Sequence, residues 1–261
     1  MKLSELLRRV AKQQVTIAEA EKLLRLDYIQ KVEDLAALDL NRERRRGIPE
    51  VIFAEGKSED SLTKIIEALL KSNGKVIVTR SNEKQMQTIS AKFGKKARIR
   101  KAVEGGTLAI RRKGSKRTER GGTIGVLTAG TSDRSVAEEA IIVAEEMGCR
   151  VIPFFDVGVA GVHRLFPEVK KLTQAECDAI IVIAGMEGAL PSVVAGLVEP
   201  PVIGVPTSQG YGFGEKGLGA LMSMLQSCSL GLAVVNIDNG AAAGAIAALI
   251  AQRANSRSSK T

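Results

Sequence analysis

Residues 123–155 read TIGVLTAGTSDRSVAEEAIIVAEEMGCRVIPFF, and this stretch decides the fold class. Two apolar runs rich in β-branched residues, 123–128 and 150–155, flank a segment whose apolar residues have helical spacing. The alternation continues towards the carboxyl terminus, and it is typical of a parallel sheet covered by helices on both faces. We therefore predict an α/β domain over residues 121–261, with a doubly wound parallel sheet of about five strands. The later strands are predicted in AIIVIAG (179–185), PVIGVPT (201–207) and LAVVNID (232–238).

The residues ahead of this domain are organised differently. Residues 4–36 place apolar side chains three and four positions apart, which predicts helices, with Thr16 as the cap of the second one. We expect a helical arm and a basic loop over residues 1–47, and a smaller basic α/β domain with a linker over residues 48–120. The elements predicted in the smaller domain are a strand at 51–54, a helix capped by Ser58, a strand in KVIVTRS (75–81), a helix closed by Gly94 and one short strand before the linker.

Composition predicts a folded protein with an aliphatic core, because 44% of the 261 residues are hydrophobic but only 3% are aromatic. The three cysteines, Cys149, Cys177 and Cys228, fit neither a disulfide framework nor a CxxC metal site, and this favours a reducing cytoplasm. No export signal is expected at the amino terminus, since its pattern is amphipathic. The most apolar stretch, 232–251, contains Asn236 and Asp238, so no membrane span is predicted.

The charge is unevenly distributed. Residues 1–120 carry a net charge of +13 and residues 121–261 a net charge of −4, for a total of +9. A basic surface could bind nucleic acid, but no aromatic residues interleave with the charges for base stacking, so we do not expect a nucleic-acid partner. The charges could instead form a solvated face or pack against the acidic half of a neighbouring subunit. The cations in question are Arg42, Arg44, Arg45, Arg46 and the run from Lys95 to Arg120.

Ligands of doubly wound sheets bind at the carboxyl ends of the strands. After the first strand, Ser132 and Asp133 precede a helix, where they could hold a phosphate or simply cap the helix. After the second, the sole histidine, His163, stands beside Arg164 in a glycine-rich turn, and it could be functional or structural. The loops expected to carry function are those after Leu127, Phe155, Ala184, Val205 and Ile237, the last with Asn236, Asp238 and Asn239 as hydrogen-bonding groups.

The third loop presents Glu187 between glycines after a wholly apolar strand. We expect partial burial there to raise the pKa of Glu187, which suits a general acid or base. The alternative is an ordinary solvated carboxylate. The segment GFGEKG (212–217) lacks the spacing of a dinucleotide fingerprint, and Cys228, taken by its position alone, is expected to be a buried structural thiol, as are Cys149 and Cys177.

From about Thr123 to Ala251 the sequence resembles the aminoimidazole ribonucleotide carboxylase (PurE) family of purine biosynthesis. The resemblance rests on SD (132–133), VHR (162–164) and AGMEGALPSVVAGLVEPPVIGVP (184–206). Two departures concern the substrate. Gly130 stands where the purine enzymes have a phosphate-binding Ser. Their AAHLPG segment corresponds to EGALPS (187–192) in this chain, so Glu187 replaces an Ala and the His of that segment is absent.

Nearly the whole chain is similar to the LarB family, whose members make pyridinium-3,5-biscarboxylic acid mononucleotide for the nickel-pincer cofactor. The shared motifs include DLNRERRRGIPEVIFAEGKS (39–58), TAGTSD (128–133), DVGVAGVHRL (156–165), VPTSQGYG (205–212), SCSLG (227–231) and VVNIDNG (234–240). The resemblance implies carboxylation of nicotinic acid adenine dinucleotide at pyridine carbon 5 and hydrolysis of its phosphoanhydride, which releases AMP. The alternative is the purine reaction, that of an aminoimidazole ribonucleotide carboxylase or mutase.

The LarB resemblance also implies the roles of individual residues. Cys228 would be the nucleophile that adds to carbon 4, and Glu187 the base that removes the proton from carbon 5. His163 aligns with an active-site histidine of the purine enzymes, and here it would act in catalysis or in orientation. The residues expected to bind substrate are Ser132, Asp133, Arg164, Gly185, Met186 and Ser192.

The same resemblance implies the other components of the reaction. CO₂ or bicarbonate would be the co-substrate, and Mg²⁺ would assist cleavage of the anhydride, through ligands that the sequence does not identify. No tightly bound organic cofactor is expected. The family forms homo-octamers, so we expect a homo-octamer here. We further expect the basic amino-terminal domain to help hold the anionic dinucleotide at the mouth of the active site.

Overall fold

The computed structural model describes residues 3–24, 29–32, 36–115, 117 and 119–258. It begins with two helices, α1 (Leu3–Ala11) and α2 (Ile17–Leu24). The predicted cap is confirmed, because the Thr16 hydroxyl accepts a hydrogen bond from the Glu19 amide (3.2 Å) and the Glu19 carboxylate accepts one from the Thr16 amide (2.8 Å). This reciprocal pair satisfies two of the amides that a helix leaves unpaired at its start.

The prediction of helix as far as residue 36 is wrong at residues 29–32 and at residue 36, and its residues 25–28 and 33–35 lie outside the described ranges. Residues Ile29–Val32 form β1 and Ala36–Asp39 form β2, an antiparallel pair. Leu38 is buried among the apolar side chains of the following domain. Strands of four residues are too short for their spacing to be distinguished from helical spacing, so tertiary packing decides the outcome. The predicted basic loop likewise contains a short helix, α3 (Arg42–Arg46), which ends at Gly47 in the left-handed conformation.

The smaller domain has one four-stranded sheet. Its strand order is β3-β4-β6-β5, in which β3 and β4 are parallel and the other pairs antiparallel. Ser58 caps the first helix as predicted, by accepting a hydrogen bond from the Ser61 amide. The tail holds two strands where one was predicted. The elements are β3 (Val51–Phe53), α4 (Glu59–Ser72), β4 (Lys75–Thr79), α5 (Glu83–Phe93), β5 (Ala97–Lys101) and β6 (Leu108–Arg112).

The carboxy-terminal half confirms the predicted fold class: five parallel strands in the order β11-β10-β9-β7-β8, with helices on both faces. Helices α6 and α10 pack on one face of the sheet and α7, α8 and α9 on the other. The elements are β7 (Thr123–Thr128), α6 (Arg134–Glu146), β8 (Arg150–Phe154), α7 (Leu165–Gln174), β9 (Ala179–Ala184), α8 (Leu190–Ala195), β10 (Val202–Pro206), α9 (Leu218–Leu225), β11 (Leu232–Val234) and α10 (Gly240–Ser258).

The two sheets are joined through α6. Ile77 and Ala109 of the smaller domain belong to the same buried cluster as the apolar face of that helix. At the end of α6, Glu145 pairs with Arg100 and Glu146 pairs with Arg111. Part of the basic excess of the smaller domain is therefore neutralised within the chain. Within the described ranges, no helix is both long and apolar enough to cross a membrane.

Candidate functional site

A cavity of about 430 Å³ opens at the carboxyl ends of β7, β9 and β10. Strands β7 and β9 are neighbours, and the chain leaves them towards opposite sides of the sheet, so the cavity lies at the topological switch point where such folds bind ligands. Four of the five loops chosen from the sequence supply its walls, and the loop after Ile237 is not among the lining residues. It is lined by Ala129, Gly130, Ser132, Asp133, Gly158, Val159, Ala160, Ala184, Gly185, Met186, Glu187, Ala189, Leu190, Gln209, Gly210 and Tyr211.

Asp133 ties together two loops of the cavity. Its Oδ2 accepts a hydrogen bond from the Gly130 amide (2.9 Å) and its Oδ1 accepts one from the Thr207 hydroxyl (2.7 Å). Burial raises the pKa of Asp133, against the opposing effect of these hydrogen bonds. Its side chain makes no capping hydrogen bond to α6. Ser132, by contrast, is exposed on the cavity wall and is available to a ligand.

The loop after β9 brings three predicted residues to the cavity. Gly185 has no room for a side chain, since a Cβ there would lie 2.1 Å from the carbonyl oxygen of Gln209. Met186 has a positive φ of 47° and its amide donates to the same carbonyl (3.3 Å). Glu187 lines the cavity but is exposed, so the expected burial of its carboxylate is wrong for the single chain. The left-handed turns at Met186 and Gly188 direct this loop outward.

His163 and Arg164 are not among the residues that line the cavity. Both are exposed in a 3-10 turn, Val159–Arg164, whose first residues form one wall. Arg164 Nη1 lies 2.6 Å from Asp156 Oδ2, an ion pair in which both side chains are more than 40% exposed. Exposed pairs of this kind contribute only about 0–1 kcal/mol, so the guanidinium can exchange this partner for a ligand at little cost.

Cys228 lies apart from the cavity. Gly231, three residues later, accepts a hydrogen bond from the amide of Val202 at the amino end of β10, whereas the cavity lies at the carboxyl ends. Cys228 is exposed, which corrects the expectation of a buried thiol at this position. The turn is held against α8, because the Ser192 hydroxyl donates to that of Ser227 and the Ser229 hydroxyl donates to the Ser192 carbonyl, both at 2.8 Å. Ser192 is thus engaged by the Cys228 turn and does not line the cavity.

The other two thiols are buried, as expected. Burial raises the pKa of Cys149 and raises that of Cys177 to about 11. Both thiols are therefore held in their unreactive protonated form, and of the three cysteines only Cys228 is accessible.

Sequence reasoning missed several residues of the site. Gln209 and Tyr211 line the cavity, and Thr207 lies beneath it, within the loop that the sequence marked only as glycine-rich. Asp238, expected to offer hydrogen bonds, accepts one from the Ser208 amide (2.8 Å). Arg80 of the smaller domain donates to the Asp238 carbonyl (2.7 Å), a contact for which the sequence held no signal.

Several apolar side chains that follow β10 are exposed. Tyr211 and Phe213 are exposed, and Leu218, Met222 and Leu225 form an exposed stripe along α9. Within the described part of the chain, no group of three or more His, Cys, Asp or Glu side chains is placed to hold a metal ion. Mg²⁺ commonly binds through one or two carboxylates together with substrate phosphates, and such binding needs no protein cluster of this size.

Comparison with known proteins gives two family matches. The AIR carboxylase family model matches residues 123–261, and a LarB/PurE-like N-terminal domain matches residues 29–104. An uncharacterized protein of Methanocaldococcus jannaschii is 44% identical over 248 residues, which cover 91% of this chain and 92% of that protein.

Other relatives match only one half of the chain. N5-carboxyaminoimidazole ribonucleotide mutases of Methanocaldococcus jannaschii and Thermotoga maritima are 35% and 30% identical over 124 and 132 residues. These matches cover 47% and 49% of this chain, and 74% and 73% of the mutases. The chain belongs to the AIR carboxylase family, and it carries a LarB/PurE-like N-terminal domain ahead of the carboxylase domain.

Proposed function

We propose that this carboxylase-family protein carboxylates nicotinic acid adenine dinucleotide at pyridine carbon 5 and hydrolyses its phosphoanhydride, giving pyridinium-3,5-biscarboxylic acid mononucleotide and AMP. The observation that carries the proposal is the joining of a LarB/PurE-like domain to an AIR carboxylase domain, since the mutases match only about half of the chain. The reaction would be the first step of nickel-pincer cofactor synthesis and would take place in the cytoplasm.

The ring needs activation because a pyridinium is electron-poor and does not attack CO₂. In the proposed mechanism the thiolate of Cys228 adds to carbon 4, which makes carbon 5 the nucleophilic carbon of an enamine. Carbon 5 then forms a bond to CO₂. The exposure of Cys228 supports this role, because a nucleophile must reach its substrate, whereas Cys149 and Cys177 are buried.

Restoring the aromatic ring requires loss of the proton from carbon 5 and of the thiolate from carbon 4. We assign the proton to the carboxylate of Glu187, which lines the cavity. The electron pair of the C–H bond at carbon 5 then forms the double bond between carbons 4 and 5 as the carbon–sulfur bond breaks, and the ring is aromatic again. The net change is replacement of a hydrogen by a carboxylate, with one proton released. Water hydrolyses the phosphoanhydride in a separate step.

The separation of Cys228 from the cavity places a condition on this mechanism. Since the two lie at different edges of the sheet within one chain, we propose that a second copy brings its Cys228 to the cavity, within a homo-octamer. The exposed stripe of Leu218, Met222 and Leu225 supports such contacts, because exposed apolar patches of this kind mark interaction surfaces. Light scattering should give eight times the chain mass of 27.8 kDa, and a monomer would exclude the proposed site.

Substrate binding would use the cavity walls. Ser132 can donate to a phosphate, and the backbone at Gly185 and Met186 allows close approach of the ring. Asp133 would act by holding the two loops, Arg164 would exchange Asp156 for a carboxylate or phosphate, and His163 would orient the substrate from the adjoining turn. Mg²⁺ would neutralise phosphate charge during anhydride hydrolysis, held largely by the phosphates themselves.

The test is mass spectrometry of the products after incubation with nicotinic acid adenine dinucleotide, bicarbonate and Mg²⁺. Wild type should release AMP and a doubly carboxylated pyridinium mononucleotide, whereas Cys228→Ala and Glu187→Gln should form no carboxylated product. Cys149→Ser is the matched thiol control and should remain active. Absence of turnover by folded wild type would reject the proposal.

A second candidate is the purine reaction, which the 30–35% identity to N5-carboxyaminoimidazole ribonucleotide mutases favours. That chemistry needs no thiol, so Cys228→Ala should retain it. Activity of both wild type and Cys228→Ala on aminoimidazole ribonucleotide or its N5-carboxy form would favour this candidate. Gly130 and Glu187, which replace the Ser and Ala of the purine enzymes, argue against it.

A further inference from the structure

Arg80 connects the two domains next to the loop that follows β10. It follows β4 in the smaller domain, and its Nη2 donates a 2.7 Å hydrogen bond to the carbonyl oxygen of Asp238, 158 residues further along the chain. Its guanidinium also lies 5.2 Å from the centre of the Phe53 ring, a cation–π contact that orients the side chain.

Asp238 holds the exit of β10. Its amide donates to the Pro206 carbonyl (2.9 Å), and its Oδ1 accepts from the Ser208 amide (2.8 Å). These two bonds fix both ends of the short segment around Thr207, whose hydroxyl binds Asp133. Arg80 therefore contacts the same residue, Asp238, whose amide and carboxylate bond to Pro206 and Ser208.

The next residues form one wall of the cavity. Gln209, Gly210 and Tyr211 line it, and the Gln209 carbonyl accepts a hydrogen bond from the Met186 amide on the opposite loop. A path of hydrogen bonds therefore runs from Arg80 through Asp238 and Ser208 to the wall of the cavity.

Backbone conformation marks the same path. Arg80, Met186 and Asp238 have positive φ angles of 54°, 47° and 56°. For residues with a side chain this region is unfavourable by roughly 1–2 kcal/mol, and it persists where surrounding contacts impose it, often at functional sites. The strain occurs at both ends of the Arg80–Asp238 contact and again at the cavity loop.

The charges around Arg80 and Asp238 also interact. Glu139 and Asp133 have raised pKa values, chiefly because of burial and also because of the nearby charge of Asp238, and Arg80 acts in the opposite direction on Glu139. The guanidinium is thus a cation near two buried carboxyl groups, Asp133 and Glu139, and the half-buried Asp238.

We propose that Arg80 is a positioning residue through which the amino-terminal domain holds residues 208–211, of which 209–211 form a wall of the cavity. This gives the basic domain a specific task at the cavity: it supports the site from behind, through Asp238. The inference rests on the proposed function only in taking the cavity as the active site.

The experiment is hydrogen–deuterium exchange of the full-length protein without ligand, read on peptides that contain residues 206–212. Arg80→Gln should speed exchange of the Ser208 amide about threefold to tenfold, the size expected when the support of one hydrogen bond is lost. Arg80→Lys, which keeps a charged donor, should restore part of the protection. Arg100→Gln is the matched control, because it removes a different interdomain pair, that with Glu145.

Two outcomes would overturn the inference: unchanged exchange of this segment in Arg80→Gln, or an equal increase in Arg100→Gln, which would indicate general loosening of the domains. If Arg80→Gln does not fold, Arg80→Lys is compared with Arg100→Lys: exchange of the segment should increase, by less than about threefold, in Arg80→Lys alone, and no difference between the two would overturn the inference. The exchange needs no substrate, so it stands even if the dinucleotide reaction is rejected. Where turnover is observed, Arg80→Gln should raise KM for the dinucleotide and Arg100→Gln should leave it unchanged.

Discussion

The Thr207 hydroxyl donates a 2.7 Å hydrogen bond to Asp133 Oδ1 beneath the floor of the cavity, and both side chains are almost completely buried. The bond joins the loops after β7 and β10, which are separated in the sheet by β9. It passes below Gly185, since a Cβ on that glycine would lie 2.8 Å from the Thr207 oxygen. The hydrogen bond therefore joins two of the loops, and the third loop lies against it at Gly185.

We predict that Thr207→Val destabilises the protein by about 1–3 kcal/mol, because the shape of the side chain is kept while a buried carboxylate loses a donor. The same change should raise the pKa of Asp133 further, since the Thr207 hydrogen bond now opposes the effect of burial. Urea denaturation measures the stability. Thr207→Ser keeps the hydroxyl and serves as control, and equal losses in both variants would contradict the role of the hydrogen bond.

Gly185→Ala should destabilise the protein by about 1–3 kcal/mol or more, because its Cβ would meet main-chain oxygen 2.1 Å away and the cavity wall must shift. Gly130 also lines the cavity, but a Cβ there would lie 3.6 Å from its nearest neighbour and its φ is −124°. Gly130→Ala should therefore fold with unchanged Tm. Calorimetry measures the Tm of the two variants, and equal Tm values would be evidence against the close approach of the Gln209 carbonyl oxygen to Gly185.

Thiol chemistry should distinguish the three cysteines. At pH 8 a disulfide reagent should modify one thiol per folded chain, because Cys228 is exposed whereas burial raises the pKa of Cys149 and raises that of Cys177 to about 11. Cys228→Ser should abolish rapid labelling, and denaturation should release the remaining thiols. Rapid reaction of two thiols in the native protein would show that Cys149 or Cys177 is more accessible than described.

Burial raises the pKa of Glu139, with opposition from the Ala241 amide and Arg80. A carboxyl group with a raised pKa favours the folded state below its ordinary pKa of 4.5, and this contribution is lost as the pH rises through the folded-state value. Glu139→Gln removes the ionisation, so its stability relative to wild type should increase with pH from about 4.5 upward.

The measurement for Glu139→Gln is a series of denaturation curves between pH 4 and pH 8. Glu199→Gln, at an exposed carboxylate, is the control variant in the same series. If the difference between Glu139→Gln and wild type stays constant with pH, the carboxyl group of Glu139 does not have a raised pKa in the folded protein.

Local features allowed much of the fold to be predicted. The β-branched runs of β7, β9 and β10 indicated buried parallel strands, and the hydroxyls of Thr16 and Ser58 indicated helix starts, because each signal acts over a few residues. The strands β1 and β2 were missed for the opposite reason, since burial of Leu38 depends on a distant core. The alternation of elements also indicated the carboxyl ends of the strands as the ligand-binding edge, and with it four of the loops that line the cavity. The switch point itself depends on the strand order, which the structure supplied.

The amino-acid sequence by itself thus determined the fold class and indicated four of the loops that line the cavity, because hydrophobic periodicity and capping are local properties of the chain. Only the tertiary structure decided how side chains within those loops are placed. It exposed Glu187, put Cys228 at the other edge of the sheet and brought Arg80 to Asp238. These relationships depend on packing between residues far apart in the chain, and the energies that fix them arise only once both partners are in place.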